Sequence, residues 1–253
     1  MNLNSYLDLA IEAANAASIA ILNERQNLKI WQKEDNSPVS SADLISNEIL
    51  TQNLAKTDIE IFSEEKILPF EKRKNLEYFW LIDPLDGTSS FLKQRDEFCI
   101  MIALIHKQRP ILSLIKNPTN DDIFYAHKDT KVYKNYKILE KDESLFKENQ
   151  FTALLSVNHL SAIDAEFANK HKLKALNISS GLKFTALLEG KAGVYRRAEN
   201  LSIWDIAAGD FLINQNGGFM GDFNAKFLNY NQKNHRASFF LAVSEKSFLK
   251  AFL

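Results

Sequence analysis

The chain opens on a helical stripe. Leu3, Leu7, Ala10, Ile11, Ala14 and Ala17 recur at three- and four-residue spacing between Asn2 and Leu22, the period of an amphipathic helix with one face turned to a core. A polar loop, Lys33 to Val39, breaks the pattern, and a second helix is predicted after Ser41 with Ile45, Ile49 and Leu54 on one side. From Ile59 to Val132 the apolar residues gather instead into short blocks: Ile59–Phe62, Phe79–Ile82, Phe98–His106 and Ile111–Ile115. Blocks of that length between polar residues predict strands. Beyond Phe151 the two patterns alternate. Strands are expected at Thr152–Val157 and near Ala175–Ile178, and helices near Ile163–Asn169 and over Ser180–Leu188.

This mixture supports a layered α/β (α+β) fold. The polar stretch Tyr133–Gln150 is the one boundary the pattern offers. It divides a single catalytic unit into an N-terminal α+β half, about residues 1–140, and a C-terminal α/β half, about 150–253. The 8 glycines and 5 prolines are scattered singly, so no linker or low-complexity tract is expected.

Composition narrows the partners more than the fold. With 45% hydrophobic residues in 253, a large core can form. Lys+Arg 31 against Asp+Glu 32 leaves a net charge of −1, so nucleic acid is not an expected partner and any anion site must be local. The single cysteine, Cys99, excludes an internal disulfide, suits a reducing compartment, and reads as a buried, inert thiol within a strand. No apolar run reaches the roughly 18–20 residues of a membrane span, and the N-terminus lacks the basic and apolar regions of a signal peptide. The protein is therefore expected to be soluble and cytoplasmic, with attachment to the cytoplasmic face of the inner membrane left open.

The chemistry concentrates in Trp80-Leu81-Ile82-Asp83-Pro84-Leu85-Asp86-Gly87-Thr88. An apolar strand delivers two carboxylates, three residues apart, to a turn. Pro84 has a fixed φ and no N–H, so the strand is expected to end there. Two acids so close repel unless a cation lies between them, and hard oxygen ligands suit Mg²⁺ or Mn²⁺. The N–H groups after Gly87 would face an anion at a helix start. Taken alone, the run is equally good turn chemistry. Its surroundings add further acids: Ser63-Glu64-Glu65 ends one apolar strand, and Ile203-Trp204-Asp205-Ile206-Ala207-Ala208-Gly209 places Asp205 in the first turn of a small-residue helix. A divalent metal beside an anion cradle points to phosphate chemistry.

Asp83-Pro84-Leu85-Asp86-Gly87-Thr88, followed far downstream by Trp204-Asp205-Ile206-Ala207-Ala208-Gly209, resembles the double signature of the inositol monophosphatase superfamily of Mg²⁺-dependent, Li⁺-sensitive phosphatases. Asp35-Asn36-Ser37-Pro38-Val39-Ser40-Ser41-Ala42-Asp43, Ser63-Glu64-Glu65, Glu97-Phe98 leading into Ile102–Ile105, and Ser180–Phe184 look like its 3′(2′),5′-bisphosphate nucleotidase branch, of CysQ type.

The resemblance implies an αβαβα sandwich with two or three Mg²⁺ ions between its halves. Glu64, Asp83 and the Leu85 carbonyl would hold one ion, and Asp83, Asp86 and Asp205 a second. Asp43 and Thr88 would orient the attacking water and accept its proton, with Glu64 also in the catalytic set. The N–H groups of Gly87, Thr88 and Ser89 would hold the scissile phosphate. His159, Ser180, Lys183 and Arg197, with Asp205, match positions that contact the nucleoside and its distal phosphate.

The implied activity is removal of the 3′-phosphate from 3′-phosphoadenosine 5′-phosphate, with the sulfated analogue as a further substrate. Inositol or sugar phosphate hydrolysis with the same metal site is the alternative, and non-catalytic nucleotide binding a weaker one. Three positions depart from the branch: Ser89-Ser90 stand where a charged pair is usual, Asp96 where glycine is common, and Arg196-Arg197-Ala198 replace a Pro-Arg arrangement. Of the two arginines, register favours Arg197. Monomer and homodimer both stay open.

Overall fold

The computed structural model describes residues 2–33, 37–198 and 201–253. Asp35 and Asn36, which open one of the branch-like motifs, lie outside the described residues.

The chain builds the helix-rich side first. Helix α1 (Leu3–Glu24) is followed by a hairpin, β1 (Ile30–Gln32) and β2 (Pro38–Ser40), and by α2 (Ser41–Leu54). Then come β3 (Ile61–Ser63), the short α3 (Phe70–Arg73), β4 (Tyr78–Asp86) and α4 (Thr88–Leu92). The long strands β5 (Cys99–His106), β6 (Arg109–Lys116) and β7 (Ile123–His127) lead to a small hairpin, β8 (Tyr133–Lys134) and β9 (Lys137–Ile138). Strands β3 to β9 form one seven-stranded sheet in chain order, parallel only between β3 and β4.

The second half alternates. Its elements are α5 (Glu143–Glu148), β10 (Thr152–Leu155), α6 (Ala162–Lys170), β11 (Lys174–Asn177), α7 (Leu182–Leu188), β12 (Val194–Arg197), α8 (Ala207–Gln215), β13 (Phe219–Gly221) and β14 (Phe240–Val243). The sheet order is β11-β10-β12-β14-β13.

Period-two alternation along β4 explains the layering. Trp80 and Ile82 point to the face covered by α1 and α2, where they join Ala10, Ala14, Leu50 and Leu54. Phe79 and Leu81 point the other way, onto Leu187, Ala207, Ala208 and Leu212 of α7 and α8 and through them to Leu154, Tyr195 and Phe240 of the second sheet. The outer face of that sheet is closed by Ala168 of α6 and by Phe252. The order is helix, sheet, helix, sheet, helix, so the expected αβαβα sandwich is observed. Both faces of each central strand are buried, which accounts for their unbroken apolar runs. Each large side chain fully buried there contributes about 1.5–3 kcal/mol.

Several sequence expectations change. Part of the expected loop Lys33–Val39 is strand, because Pro38 and Val39 pair with Gln32 and Trp31. The boundary stretch Tyr133–Gln150 carries β8, β9 and α5, and its first part extends the seven-stranded sheet. On α2 the buried line runs through Ala42, Ser46, Leu50 and Leu54, with Ile45 and Ile49 only half-buried. Helix α1, at 22 residues and a mean hydropathy of 1.2, is long and apolar enough to cross a membrane. Its Ala10, Ala13, Ala14, Ala17 and Ile21 are fully buried against the sheet and α2, small side chains that allow the close approach a core helix needs.

Candidate active site

The site begins with an interrupted strand. Strand β4 does not end at Pro84: it loses register with β5 after Asp83↔Met101 and regains it at Asp86↔Cys99. A proline is tolerated in a sheet where a bulge removes the need for its N–H. The bulge re-aims two carboxylates from one strand, and helix α2 braces it. The Ser46 hydroxyl donates to the Pro84 carbonyl at 2.7 Å, and the Leu85 N–H donates to Asp83 Oδ1 at 3.1 Å.

Gly87 follows at φ +99°, and a Cβ there would lie 2.9 Å from the Glu97 carbonyl oxygen and 3.0 Å from Ser180 Cβ. Gly87→Ala is therefore expected to lower Tm by several degrees and activity more than tenfold, since conformation and space both exclude a side chain. Thermal melts beside phosphate-release assays would check it; wild-type values in both would show that the turn tolerates rearrangement.

Asp43 sits in the first turn of α2, buried, where its Oδ2 accepts from the Ser40 N–H at 2.8 Å and the Ser40 hydroxyl at 2.5 Å. Its other oxygen accepts from the Thr88 hydroxyl at 2.9 Å. Thr88 Oγ1 is also 3.2 Å from the Leu85 carbonyl. Ser40 is thus the N-cap and Asp43 the third residue of its capping box, with the other carboxylate oxygen turned to Thr88. Burial raises the Asp43 pKa from the ordinary carboxylate value, against the Ser40 and Thr88 hydrogen bonds. The first N–H groups of α4, those of Thr88 and Ser89, precede its first intrahelical bond, Ser90 N–H to the Gly87 carbonyl at 2.8 Å.

The acids converge from three elements. Carboxylate oxygens of Asp83, Asp86 and Asp205 lie within 4.8 Å of one another. Asp205 lies before α8, two residues ahead of its first residue, rather than in its first turn. Its Oδ2 is held by the Ser202 N–H at 2.7 Å. Glu64 stands outside this mutual cluster, and its charge adds to the repulsion on Asp83. Its N–H donates to the Ile82 carbonyl across the parallel pair at 3.1 Å.

Burial, followed by mutual repulsion, pushes Asp83 and Asp205 well above the carboxylate range. Asp86 is pushed up to about 6 by burial, with Lys183 and the Gly181 N–H opposing. Buried like charges with hard oxygen donors fit a divalent cation, which would satisfy the repulsion that burial creates.

The cavity around this cluster has a volume of about 750 Å³ and is lined by all of Glu64, Asp83, Leu85, Asp86, Gly87, Thr88, Ser89, His159, Ser180, Lys183, Arg197 and Asp205. Asp43 lies behind the wall and reaches it through Thr88. Ser180 does not start α7 as expected; it precedes the helix at φ +56°, and the next residue, Gly181, donates its N–H to Asp86. Lys183 is buried, with Nζ 3.3 Å from the Ile178 carbonyl. Desolvation lowers it to about 8, although Asp86 favours its charge.

Adjacent residues on β12 face opposite ways. Arg197 lines the cavity and donates to the His159 carbonyl at 2.8 Å. Arg196 is turned away, bonded to Asp164 Oδ1 at 2.8 Å over the rings of Phe167 and Phe223. Burial and the charges of Arg197 and Lys183 hold His159 below its ordinary pKa.

Sequence reading missed several participants. Beside Glu64, the Glu65 side chain is 5% exposed and paired at 2.7 Å with Lys33, which also bonds Glu64 at 2.9 Å, so of the two readings open to it, support for Glu64 or a solvated acid, it takes the first. Burial raises Glu65 to about 7. Ser46 left a signal, a serine at helical spacing within the buried line of α2. Ser90 is buried and shares hydrogen bonds with Ser179 at 2.8 Å and Asn158 at 2.8 Å, which explains why no charge stands there. Asp96 pairs with Arg25 on the surface. His235 and Arg236 line the cavity from a segment that carried no motif.

An acid cluster on a strand bulge, facing buried cations between the two sheets of an αβαβα sandwich, defines a class. The model of the inositol monophosphatase family matches residues 2–249, and the chain belongs to that family. Within it, the chain is 32% identical to the 3′(2′),5′-bisphosphate nucleotidase CysQ of Haemophilus influenzae, over 88% of this chain and 87% of that protein. Identity to the nucleotidase of the same name from Escherichia coli K12 is 31%, over 88% and 93%. The crystal structure of CysQ from Bacteroides thetaiotaomicron superposes with a TM-score of 0.82 at 26% identity, covering 96% of this chain and 97% of that one.

Proposed function

We propose that the protein is a Mg²⁺-dependent phosphatase that removes the 3′-phosphate of 3′-phosphoadenosine 5′-phosphate, yielding AMP and phosphate. The observation that carries this reading is the meeting of the Asp83, Asp86 and Asp205 carboxylates with Lys183 and Arg197 in one cavity. Glu64, Asp83, the Leu85 carbonyl, Asp86 and Asp205 would hold two or three Mg²⁺ ions. Bound there, the ions supply acidification of the attacking water and neutralisation of the leaving oxygen.

The chain's own groups do the rest. The Thr88 hydroxyl, with its proton directed to Asp43, accepts a proton from the attacking water only as it passes its own to that carboxylate. Asp43 has the raised pKa a base of this kind needs. The N–H groups of Gly87, Thr88 and Ser89 orient the scissile phosphate. Lys183 and Arg197, with His159 and Ser180, receive the nucleoside and the second phosphate. No side-chain nucleophile takes part, so no covalent phosphoenzyme forms. The neutral overall charge gives nucleic acid no footing, and the substrate is a small molecule. The work of the protein is set in the cytoplasm.

Phosphate release from 3′-phosphoadenosine 5′-phosphate and from inositol 1-phosphate, side by side in Mg²⁺ with and without Li⁺, tests the reading. Preference for the nucleotide with inhibition by millimolar Li⁺ is expected; preference for inositol phosphate would retain the metal site and discard the distal set. Lys183→Met, close in shape and uncharged, is expected to raise KM for the nucleotide about tenfold or more and to leave inositol 1-phosphate little changed. Because Lys183 is held to about 8, its charge and the nucleotide affinity it supports should fall between pH 7 and 9, a slope absent from the variant. An unchanged KM would remove Lys183 from the substrate site.

A further inference from the structure

The cavity has an aromatic wall that the metal cluster and the cationic set leave unused. His235 stacks on Trp204 with ring centroids 5.3 Å apart and planes within 14°. Trp204 is itself buried, and the edge contact of Phe62 at 5.6 Å fixes it from within. With one face of the imidazole on Trp204, its opposite face is the one available to the cavity that His235 lines.

The ring is held on a rigid segment. The Ile203 N–H donates to the His235 carbonyl at 2.9 Å, the Ala237 N–H donates to the Leu201 carbonyl at 2.8 Å, and Ser202 pairs antiparallel with Arg236. The same short stretch carries Asp205, so platform and acid cluster are fixed relative to one another through Trp204. Lys183 and Arg197 line the same cavity and are its partners for phosphate charge.

We infer that His235, backed by Trp204, is the platform on which the nucleobase of the substrate stacks, and that it sets the preference for a nucleoside bisphosphate over a phosphate carried by a base-free ring. The inference rests on the nucleotidase reading and deepens it. Every base presents a π-face, so the platform selects for a planar base and little between bases. His235 is a specificity residue: it touches the base and takes no part in proton transfer.

The test compares adenosine 3′,5′-bisphosphate with the same ribose bisphosphate lacking a base. Wild-type protein should show a KM for the adenosine compound about tenfold or more below that for the base-free one. His235→Leu, which still covers Trp204, should raise KM for the adenosine compound about 5- to 20-fold, the scale of one base–aromatic stack. It should leave kcat, and both constants for the base-free compound, within twofold. His235→Phe should restore the wild-type KM. Should His235→Leu not fold, as read by Tm, His235→Phe against His235→Gln keeps the comparison between a ring and a side chain without one.

An equal loss on the base-free compound would make His235 a prop for Trp204 and overturn the inference. So would a base-dependent loss in His159→Leu with none at His235. Failure of the underlying reading looks different: wild-type protein would then release phosphate from inositol 1-phosphate and from neither ribose bisphosphate, and the platform would fall with it.

Discussion

Asp83→Asn should lower kcat by about 10³–10⁵-fold, or about 4–7 kcal/mol of barrier, while the fold persists. Asp83 is the acid placed to touch every part of the cluster: it repels Glu64, Asp86 and Asp205 alike and is almost fully buried. Asparagine keeps the shape and can still accept the Leu85 N–H, but it removes the charge that two neighbouring cations would share. Without metal, the same change relieves a buried, repelled carboxylate, and removing such a group is often neutral or stabilising. Loss of turnover together with a metal-free Tm equal to or above wild type is therefore the expected signature. An Asp83→Asn protein that keeps Mg²⁺-dependent turnover within tenfold would sink the proposed mechanism.

Mg²⁺ should stabilise the protein strongly at pH 7.5 and weakly at pH 5. Asp86 titrates at about 6 in the metal-free fold against an ordinary value of 3.8, and Asp83 and Asp205 are raised further. Between those values the folded state binds more protons than the unfolded one, so the cluster's contribution to stability falls as pH rises through about 4 to 6 and beyond. The metal-free protein should lose several degrees of Tm over that range from this source. A divalent cation competes with the same protons, so its effect grows as they leave; at a concentration 100 times its Kd it adds about 2.7 kcal/mol. Melts with Mg²⁺ and with a chelator at both pH values read this directly. Equal Mg²⁺ shifts at pH 5 and 7.5, or none at either, would show that these carboxylates are not where the metal binds.

Much of the site was legible because its chemistry is local. Asp83, Asp86, Gly87 and Thr88 are consecutive or nearly so, and their residue types already imply a turn that bunches carboxylates beside open N–H groups. Asp205 stood out by following an apolar block, although its place before α8 and not within it depends on the Ser202–Asp205 turn. Pro84 misled because a proline ends a regular strand, whereas here the partner strand waits across a bulge and pairing resumes at Asp86. For Glu65 the sequence left two readings, support for Glu64 or a solvated acid, and only Lys33 of a distant hairpin, paired with both acids, decides for the first. His235 was invisible: its neighbours Asn234 and Arg236 form no pattern, and only Trp204, 31 positions earlier in the sequence, gives it a role.

The sequence by itself determined the long helices and apolar strands, the layered class and the acids, because side-chain period, turn chemistry and carboxylate spacing act within a few residues. Only the tertiary structure decided which of two adjacent arginines faces the cavity, that Ser46 braces the bulge, that Ser90 is buried in a hydrogen-bonded trio, and that a histidine lies flat on Trp204. Those are contacts between segments far apart in the chain, and their geometry is set by how two sheets close around α7 and α8, a choice made by the packing of the whole core.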